Sequence, residues 1–116
     1  MKRGVINMSY CSENKLPITT PINRLLEIIE LLGFQKVRDF LKLENQLGSY
    51  VWHGGHDSIS FVGIELGIYR ESDYISVQTR TRSGRSYWDL DLQNKTIGRL
   101  KALFGGSFIT DEGTNT

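Results

Sequence analysis

Both histidines of the chain fall in one short run, WHGGHD at 52–57, where His53, His56 and Asp57 are three groups that ligate metal ions. Two imidazoles and a carboxylate can hold iron or zinc when a turn brings them together. This spacing matches no helix-borne or strand-borne ligand motif, and Gly-Gly between polar neighbours is ordinary turn composition. A turn is therefore expected, and no metal is assigned. Asp89-Leu90-Asp91 offers two carboxylates, yet residues two apart on a helix point away from each other. Their expected role is negative charge at a helix N-terminus, with Ser86 as a cap. Cys11 is the single cysteine and has no histidine near it in sequence. No Gly-x-Ser-x-Gly elbow and no phosphate-binding glycine loop occurs, so neither nucleophilic catalysis nor a cofactor is expected.

The other run with chemical content is QTRTRSGRS at 78–86, which places Arg80, Arg82 and Arg85 close together. Alternating Arg and Thr is common on a solvated strand end, where it protects an edge against aggregation. The same residues form a binding surface if aromatic side chains share their face. Overall charge does not decide the matter. Fourteen Lys and Arg against thirteen Asp and Glu give +1, so any attraction to polyanions must come from local clustering.

At 116 residues, 39% hydrophobic and 23% charged, the chain has the size and composition of one folded domain. A lone cysteine rules out an internal disulfide and fits a reducing compartment. The N-terminal residues contain no apolar stretch of signal-peptide length, and no run of about 18 apolar residues occurs anywhere. No membrane association is expected, and the expected location is the cytoplasm.

Residues 1–19 read as an N-terminal arm or an edge strand, 20–111 as a single α+β domain, and 112–116 as a flexible tail. Within TTPINRLLEIIELLG, Thr20 suits an N-cap, Pro21 the first helical position and Gly33 the C-terminal stop. Ile22, Leu25, Leu26, Ile29 and Leu32 share one helical face. Phe34, Val37, Phe40 and Leu41 suggest a short helix over about 35–44. Beyond Gly48 the pattern is β: strand formers at Tyr50, Val51 and Trp52, then alternation in SISFVGIELGIYR and DYISVQTRTR. A helix from about Asp89 to Phe104 follows, with Leu92, Thr96, Leu100, Leu103 and Phe104 on one face, then a last strand at 107–111. The order α-(α)-β-β-β-α-β implies a two-layer α+β sandwich with helices on one face of a mixed, mostly antiparallel sheet.

A turn centred on 70–73 sets Ile68 opposite Ile75 and Leu66 opposite Val77, so the apolar faces of the two strands coincide. On the outward face Tyr69 then meets Tyr74, Glu65 meets Gln78, Gly63 meets Arg80, and Phe61 meets Arg82. That face is aromatic and basic. Phe61, Tyr69, Tyr74, Arg80 and Arg82, with Gln78 and Arg85 at the rim, are the candidate partner-binding residues, because Tyr and Arg concentrate at interface hot spots.

The expected function is a non-enzymatic binding module, inhibitory or regulatory, that contacts another protein through this face. One alternative is single-stranded nucleic acid on the same face, with bases stacked on the aromatics and arginines on phosphates. A homodimer through the face is a further option. The order helix, three strands, helix, strand also resembles that of the restriction-endonuclease-like nucleases. That resemblance implies a degenerate Mg-dependent nuclease, with Asp57 or Glu65 as first acid, Gln78-Thr79-Arg80 in place of acid-x-Lys, and Glu27 or Glu30 on the leading helix. Arg80 for the lysine departs from the pattern.

Overall fold

Polar side chains on the inward face of its first strand govern how this chain folds. The structure is a computed structural model that describes residues 10–38, 43–53, 62–81, 87–111 and 113–115. Strand β1 (Tyr10–Pro17) turns Ser12, Asn14 and Leu16 inward. It pairs antiparallel with β5 (Tyr74–Thr81) on one side and with β6 (Ser107–Thr110) on the other. The expectation of an arm or edge strand is thus corrected. Two of its three inward positions are polar, so no apolar alternation marks it as interior.

Helix α1 (Ile22–Leu31) and the two-residue strand β2 (Gln35–Lys36) follow. Then come β3 (Gln46–Trp52), β4 (Ile64–Arg70), β5, helix α2 (Tyr87–Phe104), β6 and β7 (Gly113–Asn115). The sheet order is β2-β3-β4-β5-β1-β6-β7, and every pairing among the described strands is antiparallel. Both helices pack on one face, which is the two-layer α+β sandwich expected. Strand β7 pairs with β6 where a fraying tail was expected. No helix among the described residues is long and apolar enough to cross a membrane.

Helix α1 buries Leu25, Ile28 and Ile29, with Ile22, Leu26 and Leu32 packed beside them. Its N-cap is Pro21, in extended conformation, whose carbonyl accepts from the Leu25 amide at 3.0 Å. Thr20 does not cap: its hydroxyl donates to the Pro17 carbonyl at 2.6 Å and closes the turn leaving β1. Gly33 ends the helix with φ +112°. The short helix expected over 35–44 is replaced at its start by β2. Gln35 and Lys36 pair with Val51 and Tyr50, and the Val37 amide donates to the Ser49 carbonyl at 2.8 Å. Covering the edge of β3 satisfies ladder groups that a local helix would leave bare. Residues 39–42 of that expected helix, Phe40 and Leu41 included, lie outside the described residues.

The core joins Leu16, Leu25, Ile28, Ile29, Phe34, Tyr50, Ile64, Leu66, Ile68, Ile75, Val77 and Leu100. Tyr50 keeps a polar end by donating its hydroxyl to Glu30 at 3.4 Å. The expected inward face of α2 holds at Thr96 and Leu100, which are buried, and at Leu92 and Phe104, which pack against the core, but not at Leu103. Asp89, Gln93, Thr96, Ile97 and Leu100 are buried, whereas Leu103 is 47% exposed. Gln93 donates to the Thr79 hydroxyl at 2.8 Å and to the Tyr10 carbonyl at 3.0 Å. Asn14 donates to the Ile97 carbonyl at 3.2 Å, and the Ser12 and Thr79 hydroxyls bond each other. A polar seam therefore ties α2 to β1 and β5, where each buried donor needs a partner. Asp89, in the first turn of α2, is wholly buried against Gly63, where a Cβ would overlap its carboxylate.

Gly105 and Gly106 end α2 with φ +82° each, the left-handed region that disfavours side chains. The Gly105 amide donates to the Lys101 carbonyl at 2.8 Å, and the Lys101 ammonium donates to the Gly106 carbonyl at 2.7 Å. A Cβ on Gly105 meets nothing within 4 Å, whereas one on Gly106 would collide with the Lys15 carbonyl of β1. Gly105→Ala is expected to cost about 1–2 kcal/mol of backbone strain. Gly106→Ala should cost roughly 1–3 kcal/mol more, because the backbone of a central strand must move. Urea denaturation of the two variants checks this. Equal midpoints would contradict the close approach of the helix end to β1.

Candidate functional site

With both helices on one face, the alternating residues of five strands turn to the other. No element among the described residues covers that face. Across it runs a trough of 740 Å³ reaching from Val37 and Val51 at one flank to Ile109 and Asp111 at the other. One row crosses the sheet as Glu65, Arg80 and Cys11, each opposite the next, and ends at Asp111. The row beside it is Gly67, Gln78, Glu13 and Ile109. A third row holds Tyr69, Ser76, Lys15 and Ser107.

Local hydrogen bonds fix these side chains. Ser76 is buried and donates to Glu13 at 2.5 Å, and it accepts from the Gln78 amide at 3.1 Å. The Cys11 amide donates to the Asp111 carboxylate at 2.8 Å, and the Asp111 amide returns a bond to the Cys11 carbonyl at 3.2 Å. Tyr69 leans back along its strand over Gly67, where a Cβ would come within 2.6 Å of the tyrosine oxygen. The bare Cα of Gly67 lets the aromatic ring lie along the floor. A bulge between Gln46 and Gly48 of β3 puts Gln46 opposite Tyr69 and brings it into the trough wall.

Tyr69, Gln78 and Arg80, all read from sequence as outward, line this trough. Tyr74 shares the face but lies beyond the trough, with the Lys15 ammonium 5.2 Å from its ring centroid. Phe61, Arg82 and Arg85 lie outside the described residues. The expected hairpin register is corrected by two residues. Ile68 faces Val77, Leu66 faces Thr79, Tyr69 faces Ser76 and Glu65 faces Arg80. The turn is centred on Ser72 and Asp73, one residue later than expected, and the Glu71 amide closes it on the Tyr74 carbonyl at 2.9 Å. A shift of two preserves which side chains point outward, so the face survives while its cross-strand pairs change.

The basic character expected of this face does not extend to the described trough. Its charged lining is Glu13, Glu65 and Asp111 against Arg80. Glu13 and Asp111 are not legible as site residues in the sequence, because no apolar alternation marks β1, which brings both into the trough, as an interior strand. Of the metal candidates, His53 is partly buried, while His56 and Asp57 lie outside the described residues. No group of three or more His, Cys, Asp or Glu able to hold a metal occurs among the described residues. Asp89 is buried and Asp91 exposed, pointing apart as their spacing requires. In comparisons with known proteins the chain matches no family model, and no curated protein or solved structure matches it.

The Cys11 thiol is pushed above its ordinary value, first by burial and then by the nearby Asp111 carboxylate, with Arg80 acting in the opposite sense. Both raising effects disfavour the thiolate, which is the form that reacts. Iodoacetamide labelling of Cys11 should therefore be slow near neutral pH and rise at more alkaline pH than for a free cysteine. Asp111→Asn should speed labelling at fixed pH and Arg80→Gln should slow it. The opposite order would contradict this placement of the three groups.

Proposed function

We propose that the protein is a non-enzymatic binding module, inhibitory or regulatory in effect, that holds another protein in the trough of its open sheet face. The observation that carries this reading is the lining. Glu13, Glu65, Gln78, Arg80 and Asp111 stand among Val51, Tyr69 and Ile109. Such a mixture of aromatic, aliphatic and hydrogen-bonding side chains on a rigid sheet is what a protein interface uses. Nucleic-acid binding fits less well, since carboxylates outnumber guanidinium groups along the described trough and would repel phosphates.

Affinity capture tests this. Immobilised wild-type protein and a Tyr69→Ala, Gln78→Ala double variant, both verified as folded by circular dichroism, are exposed to extract from the source cells. At least one protein should be retained by the wild type and weakened by roughly thirtyfold in the variant, equivalent to about 2 kcal/mol for a hot-spot cluster. Identical retained sets would contradict the reading. So would salt-sensitive binding of single-stranded DNA or RNA that disappears on Arg80→Glu.

A further inference from the structure

We propose that the trough accepts a basic segment, so that the partner protein presents lysine or arginine side chains to it. This rests on the protein-binding reading above and specifies the chemistry of the partner surface. Glu65 comes from β4, Glu13 from β1 and Asp111 from the end of β6. Strands are spaced by about 5 Å and rise about 3.3 Å per residue, so the backbone positions of Glu65 and Glu13, two strands and two residues apart, stand about 12 Å from each other across the floor. Asp111 lies one strand further on. That spread suits the separate side chains of an extended cationic segment and does not suit a chelated ion.

The charge balance favours the same occupant. Glu13 and Asp111 accept hydrogen bonds from a serine hydroxyl and a backbone amide, neutral donors that add no positive charge. The guanidinium of Arg80 is the single cationic group among the described residues that line the trough. Lys15, on the same face, is drawn to the Tyr74 ring beyond it. Concave, low-dielectric walls concentrate such a field, and the Tyr69 ring lying over Gly67 adds an aromatic surface that attracts cations. The net charge of +1 for the whole chain thus contrasts with the described lining of the trough, three carboxylates against one guanidinium.

The test uses the full chain and short fluorescent peptides at low ionic strength. One alternates arginine with glycine, a second alternates glutamate with glycine, and a third is Gly-Ser. An oligothymidylate is the fourth probe. The arginine peptide should bind with salt-sensitive affinity and the other three should not. Glu65→Gln with Asp111→Asn should weaken arginine-peptide binding by about tenfold or more. A charge-matched control on the helix side, Glu27→Gln with Asp91→Asn, should leave it unchanged. All four positions are exposed, so folding is not at stake. Preferential binding of the glutamate peptide or the oligonucleotide overturns the proposal, as does equal loss in both double variants. A captured partner that depends on Tyr69 and Gln78 but ignores both Glu65 and Asp111 and excess arginine peptide would sink the basic-segment proposal alone. Failure of capture bears on the protein-binding reading instead.

Discussion

Everything else in this fold depends on the pairing of β1 with strands on both of its sides. Without it, the β3-β4-β5 meander and the C-terminal β6-β7 hairpin would be separate pieces, since β5 and β6 have no other connection across the sheet. Because β1 is central, its outward residues Cys11 and Glu13 stand mid-trough, while inward Ser12 and Asn14 face α2. An all-apolar inward face would have served stability as well. The polar pairs formed instead, Ser12 with Thr79 and Asn14 with the Ile97 carbonyl, fix register and helix position, because a slipped arrangement would strand buried hydrogen-bonding groups.

The two faces of the sheet divide the labour. The helix-covered face carries the apolar core and the polar seam, and it supplies the rigidity that keeps side chains in place on the other face. The open face carries short-range bonds that hold each trough side chain: Ser76 to Glu13, Gln78 to Ser76, the Cys11 amide to Asp111. Groups held in this way lose little freedom when a partner arrives, which lowers the entropic cost of binding.

How much of this was legible depended on punctuation and parity. Helix α1 was legible because Pro21 and Gly33 bracket an apolar stripe. The outward set Tyr69, Gln78 and Arg80 was legible because alternation has a period of two, and the true register differs from the expected one by two. Strand β1 was illegible because Ser12 and Asn14 hide its inward face. The inner stripe of α2 is only partly legible for a related reason. Leu92, Thr96, Leu100 and Phe104 share the apolar spacing and face the core, but buried Asp89 and Gln93 are polar and give no apolar signal, whereas Leu103 fits the spacing and is exposed. The acidity of the trough is illegible for the first of these reasons, since Glu13 and Asp111 enter it only when β1 lies inside the sheet.

A trough that holds a partner must be open to solvent in the free protein. Solvent paramagnetic relaxation of side-chain methyls measures this in the free protein across a concentration series. Rapid relaxation is expected for Val51 and Ile109, which line the trough. Protection is expected for Ile68 and Val77 on the helix-covered face of the same sheet. Protection of Val51 and Ile109 at all concentrations would mean that the chain covers its own face. Protection that grows with concentration would mean that a second copy does. Either result would contradict a trough held open for a partner.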